Sequence, residues 1–179
     1  EFDSAGGGGG GPPSPPMQVQ LDRLQITDTI ALTNMRGRFL TSRGLDGKFE
    51  ALLNGGTPVQ GQVIPQSGRS AVKLTSNDAG GVLRSAGLLK QVVGGNIALT
   101  LLPVGSGGAF DGRLTAGAIR VKDAPGIAAL LNAISVVGLV NELNGDGIYF
   151  EQVEGDFRLT PDRITLTKSS AVGASMGLS

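Results

Sequence analysis

The sequence predicts a β-rich α+β fold: a twisted antiparallel sheet with one long and one short apolar helix packed on it. Three observations predict it. From Met17 onward, short alternating segments follow one another with brief turns, the pattern of an antiparallel meander. Between Ile127 and Leu143 the apolar spacing changes to three and four residues, which is a helical face. From Val153 the alternation resumes, with Val153, Gly155, Phe157 and Leu159 on one side and Glu154, Asp156, Arg158 and Thr160 on the other.

Residues 1–16 are a glycine run followed by a proline spacer, without apolar periodicity. They read as a flexible linker or a cloning remnant, with 17–179 a single unit cut from a longer protein. Met17 to Leu21 alternates, and Leu24 to Ile26 resumes out of phase, which predicts a bulge near Asp22-Arg23. Ile30 to Leu40 is a second strand with its own phase change. Lys48 to Leu53, Val59 to Ile64 (stopped by Pro65) and Ser70 to Thr75 are the next three, joined by glycine turns. Asp78 caps a short helix that turns Val82, Leu83 and Ala86 inward. Gly80, Gly81 and Gly87 weaken that helix, so tertiary packing must hold it. Ile97 to Leu102 and Phe110 to Val121 are strands.

The stretch from Lys122 to Leu166 organises the rest. Pro125 falls in a first helical turn, where its missing N–H costs nothing. Ile127, Leu130, Leu131, Ile134 and Val137 form one face, widened by Val136, Leu139, Val140 and Leu143. Asn144 to Gly147 ends the helix. A helix this apolar needs cover, from a sheet or from a lipid. As a membrane span it is too short and is interrupted by Asn132, Ser135 and Asn141. Asp78 to Val82 and Asp123 to Ile127 align as a short internal repeat. Ile164 and Leu166 then alternate with Thr165 and Thr167, and a looser alternation runs to Ser179.

Composition narrows the chemistry. The chain has no Cys and no His, which removes the common zinc sets, cysteine nucleophiles and histidine triads. Its 15 basic and 15 acidic residues give no net field for nucleic acid, and 4% aromatics give few stacking platforms. Glu154 and Asp156 share one strand face and so do not oppose each other across a cleft as a glycosidase pair does. Neither Gly145-Asp146-Gly147 nor the loop 105–108 has the setting of a phosphate loop. Arg36 and Arg38 alternate on a strand: they face lipid headgroups or simply water. No cofactor and no bond chemistry are expected.

Five stretches carry a resemblance: residues 31–39 (ALTNMRGRF), 74–88 (LTSNDAGGVLRSAGL), 92–101 (VVGGNIALTL), 117–139 (GAIRVKDAPGIAALLNAISVVGL) and 145–159 (GDGIYFEQVEGDFRL). In this order they resemble the C-terminal region of AsmA-like bacterial envelope proteins of the YhdP/TamB type. The likeness covers nearly all of the chain after Pro16. It departs at Leu88-Leu89-Lys90, where an aromatic segment is expected. The resemblance implies a curved, groove-like β-sheet in the Gram-negative periplasm, part of an inner-membrane-anchored parent. It implies phospholipid transport, outer-membrane homeostasis, and partners that are phospholipid acyl chains and proteins of the two membranes. The apolar residues expected to line such a groove are Ile127, Leu130, Leu131, Ile134, Ile97, Leu99, Leu101, Val153, Phe157, Leu159, Ile164 and Leu166. The alternative is a structural or protein-interaction β domain with a dry core and no lipid role.

Overall fold

The computed structural model describes residues 15–41, 44–105, 107–122 and 147–173. Ten strands form one sheet: β1 (Met17–Gln25), β2 (Ala31–Leu40), β3 (Asp46–Leu53), β4 (Thr57–Gln66), β5 (Arg69–Ser76), β6 (Val92–Val93), β7 (Asn96–Val104), β8 (Ala109–Val121), β9 (Ile148–Thr160) and β10 (Arg163–Val172). One helix, α1 (Ala79–Ser85), lies between β5 and β6. The sheet runs β1-β2-β3-β4-β5-β7-β8-β9-β10, with β6 pairing the far end of β8, and every pairing is antiparallel.

The expected α+β class is therefore corrected. Among the described residues the chain is one large antiparallel sheet with a single seven-residue helix, not a sheet beneath one long and one short helix. The long helix expected over Ile127 to Leu143 lies outside the described residues, as does the second copy of the short repeat. Most strands are also longer than the expectation, because alternation continues through polar residues that pairing keeps in register. Pro65 does not stop its strand: β4 continues to Gln66, with Pro65 opposite Ser70.

Period-two alternation gives the sheet two unlike faces. Residues directly opposite one another point to the same side, so the register defines rows across the strands. One apolar row runs Met17–Phe39–Gly47–Val63–Val72–Leu101–Gly112–Phe157–Leu166 over nine strands. The adjacent row on the other face is Gln18–Arg38–Lys48–Gln62–Lys73–Thr100–Arg113–Asp156–Lys168. Over β2–β4 the apolar side closes into a buried cluster that includes Leu32, Met35, Phe39, Phe49, Leu53, Val59 and Val63. A second cluster joins Ala79 and Leu83 of α1 to Val92, Ile97, Ala116, Ile119, Val121 and Ile148.

Helix α1 ties the two clusters together, with Val82 packed against both. Its cap is as expected: the Gly81 N–H donates to Asp78 Oδ1 at 2.7 Å. Gly80 and Gly81, costly to an isolated helix, let it dock at backbone distance. A Cβ on Gly80 would lie within 3.0 Å of the Val92 carbonyl and Val93 Cα. The Ser85 end is fastened by Asn54 Nδ2, which donates to the Ser85 carbonyl at 2.6 Å and to the Thr29 carbonyl at 2.9 Å. Asn54 Oδ1 accepts the Ala31 N–H at 2.7 Å.

Two non-glycine residues inside strands take left-handed conformations, Asn34 (φ 50°) and Ala118 (φ 54°). Each marks a phase change of the apolar side. At Asn34, Leu21 and Leu24 of β1 stay opposite Met35 and Leu32 of β2, and the register shift falls between β2 and β3. At Ala118 the buried positions step from Ala116 to Ile119 on β8 and from Val153 to Phe150 and Ile148 on β9.

Candidate functional site

On β7–β10 the apolar face is built from four consecutive rows. Ile97, Ala116, Val153 and Ala171 form the row nearest α1. Leu101, Gly112, Phe157 and Leu166 form one near the far end, with Leu99, Leu114 and Gly155 between the two. Beyond them Pro103, Phe110, Leu159 and Ile164 continue the surface. Exposure rises along it. Ile97 is buried in the cluster under α1, and Val153 packs against that cluster. Leu99, Leu101, Phe157 and Leu159 are half-buried. Ile164 and Leu166 are 69% and 63% exposed, which places greasy side chains in water at the sheet margin.

All eight sequence-predicted groove residues within the described chain thus share one face. Ile97 and Val153 belong to its closed end, and the other six to its open part. Ile127, Leu130, Leu131 and Ile134 lie outside the described residues. Sequence reasoning missed Phe110, Leu114, Val72 and Leu74, which complete the same surface. Their alternation was visible on each strand, but the register that aligns them with Leu99 and Leu101 was not.

Glycines shape this face by lying opposite aromatic rings. A Cβ on Gly112 would fall within 3.0 Å of three ring atoms of Phe157, and one on Gly61 within 3.0 Å of three ring atoms of Phe49. Each ring therefore lies down across its neighbouring strand instead of standing off the sheet. The Phe39 and Phe49 rings stack with centroids 6.5 Å apart. At the β7–β8 turn, the Arg69 guanidinium covers Phe110 at 5.0 Å and donates to the Val104, Gly105 and Ala109 carbonyls.

The opposite face is polar, and its two halves differ in charge. On β8–β10, Arg113 makes a two-pronged contact with Asp156, at 2.6 Å and 3.0 Å, and Arg158 pairs with Asp111 at 2.5 Å. The hydrogen bond from Arg113 is the main cause holding the Asp156 carboxyl below its ordinary value. Glu154 accepts from Gln152 Nε2 at 2.6 Å. Glu154 and Asp156 face solvent on one strand face and do not oppose each other. On β2–β5 the two central rows carry Arg36, Arg38, Lys48 and Lys73 against a single carboxylate, Glu50. A depression of about 810 Å³ lies here on β1–β4, where Arg36, Arg38, Lys48 and Glu50 border it together with glutamines and the Val19–Gly37–Phe49–Gly61 row.

Protein-family models, curated proteins and solved structures give no match to this chain. What the molecule can do is argued from its two faces. Among the described residues no group of His, Cys, Asp or Glu is placed to hold a metal ion. Among them, too, no helix is long and apolar enough to cross a membrane.

Proposed function

We propose that the chain is a lipid-binding or lipid-conduit segment, sheltering phospholipid acyl chains on the open part of its apolar face. On this reading it acts without bond chemistry in the periplasm, as part of an AsmA-like envelope protein that moves phospholipid and maintains the outer membrane. The observation that carries the reading is the apolar surface across β7–β10, interrupted only by Ser169 in these rows, half-buried on the inner strands and exposed at Ile164 and Leu166. Three inter-strand steps of about 4.8 Å give it a reach of about 14 Å. That matches one acyl chain, which occupies about half of a hydrocarbon core roughly 30 Å thick. Each methylene withdrawn from water contributes about 0.8 kcal/mol, so no directed polar contact is required. The Phe157 ring laid flat over Gly112 keeps the floor low enough for a chain to lie along it.

The end beneath α1 is a dry core, and it favours the structural alternative for that end alone. The two readings separate by experiment. Native mass spectrometry and lipid extraction of the purified chain are expected to find phospholipid. Leu166→Glu is expected to remove most of it while leaving the melting temperature within a few degrees, because that side chain is already in water. Lipid-free extracts, or unchanged lipid in both Leu166→Glu and Leu101→Glu, would refute the proposal.

A further inference from the structure

We propose a second binding site on the polar face: the depression on β1–β4 takes a small, soluble, phosphate-bearing anion with two or more negative charges. It rests on different residues from the lipid reading and does not depend on it. Arg38 on β2 and Lys48 on β3 stand directly opposite one another. Like charges in that position repel and destabilise a sheet. Their row neighbours are Gln18 and Gln62, so no carboxylate stands beside them in the row. Arg36 stands in the next row opposite Glu50, yet that pair does not close to an ion pair among the described residues.

The other half of the same face shows the contrast. There Arg113 and Arg158 are each matched to an aspartate on the neighbouring strand. Two arginines on one half are neutralised within the sheet, while on the other half three cations, Arg36, Arg38 and Lys48, and one carboxylate, Glu50, line a hollow and leave it a positive excess. Its volume of about 810 Å³ lies in the range of small-molecule sites. Gln18 and Gln60 add amide groups to the lining. The guanidinium of Arg38 and the ammonium of Lys48 together suit two phosphate oxygens, one by a planar fork and one as a point charge. A small anion reaches the floor of a hollow, whereas a membrane surface meets only its rim.

The test is calorimetric titration of the 179-residue chain with pyrophosphate, at about 20 mM and about 150 mM salt, within reach of electrostatic screening. Saturable one-to-one binding is expected at low salt, weaker at high salt. Arg38→Gln and Lys48→Gln are each expected to weaken it about tenfold, the loss of one charge-assisted contact. Without anion both variants should melt at or above the wild-type temperature, since repulsion has been removed. Arg113→Gln, on the balanced half, should bind as wild type. No saturable binding at low salt would overturn the proposal. So would an equal loss in Arg113→Gln, or capture by vesicles of 3:1 phosphatidylcholine and phosphatidylglycerol without binding of pyrophosphate.

Discussion

Replacing Gly61 by alanine tests whether aromatic rings are pinned to the sheet by the absence of a side chain beneath them. The new methyl would collide with the tip of the Phe49 ring. That ring has little freedom to move: Phe49 is buried and stacks on Phe39, itself buried. Overpacking of a closed site costs about 1–3 kcal/mol. Alanine also restricts the unfolded chain, which offsets about 0.5–1 kcal/mol. The expected net loss is about 1–2 kcal/mol, read from urea unfolding at unchanged slope. Gly112→Ala is the matched control, with the same collision against Phe157. Phe157 is only half-buried, so its ring can tip onto the open apolar face, and the expected loss is below about 1 kcal/mol. In a Phe49→Leu background the cost of Gly61→Ala should shrink by about 1 kcal/mol, a coupling that a double-mutant cycle measures. Equal losses at the two glycines, or a Gly61→Ala variant as stable as wild type, would show that burial of the ring does not decide the outcome.

Two further changes probe the joints of the fold. Asn54 bonds to Thr29, Ala31 and Ser85 from a left-handed backbone (φ 47°). Asn54→Ala is expected to lose about 2–4 kcal/mol by denaturant unfolding, and Asn54→Gly to recover only the backbone share, about 1 kcal/mol. Asp156 has its folded-state pKa lowered from 3.8, so its pairing with Arg113 stabilises the protein above that value and fades as pH falls through the lower folded one. Asp156→Asn should therefore be less stable than wild type at pH 6 and converge with it in strong acid or high salt. A gap that stays constant down to pH 2.5 would contradict the assignment.

Much of the local structure was legible in the sequence. The Asp78 cap, the two-sided pattern of Val153 to Thr160 and the existence of β7 depend on contacts within a few residues, where spacing is informative. The overall class is not legible in the same way, because a long apolar helical pattern predicts a second layer. Among the described residues the apolar face is instead covered by packing of its own side chains and by α1 at one end. The two-residue β6 is missed, since Gly94-Gly95 reads as the opening of the strand that follows and not as a break along the edge of β8. The glycine–phenylalanine oppositions and the basic hollow were out of reach for a different reason. Each is assembled from single residues on neighbouring strands, and only the register reveals them.

The outermost strands, β1 and β10, pair on one side only within the described residues, so this sheet is a ribbon and not a closed barrel. An open margin leaves backbone donors and acceptors ready for a further strand. Each strand laid against either margin would lengthen every oily and every polar track by about 4.8 Å while keeping the two sides distinct. Such a surface has no intrinsic length: its span is set by how many strands are joined.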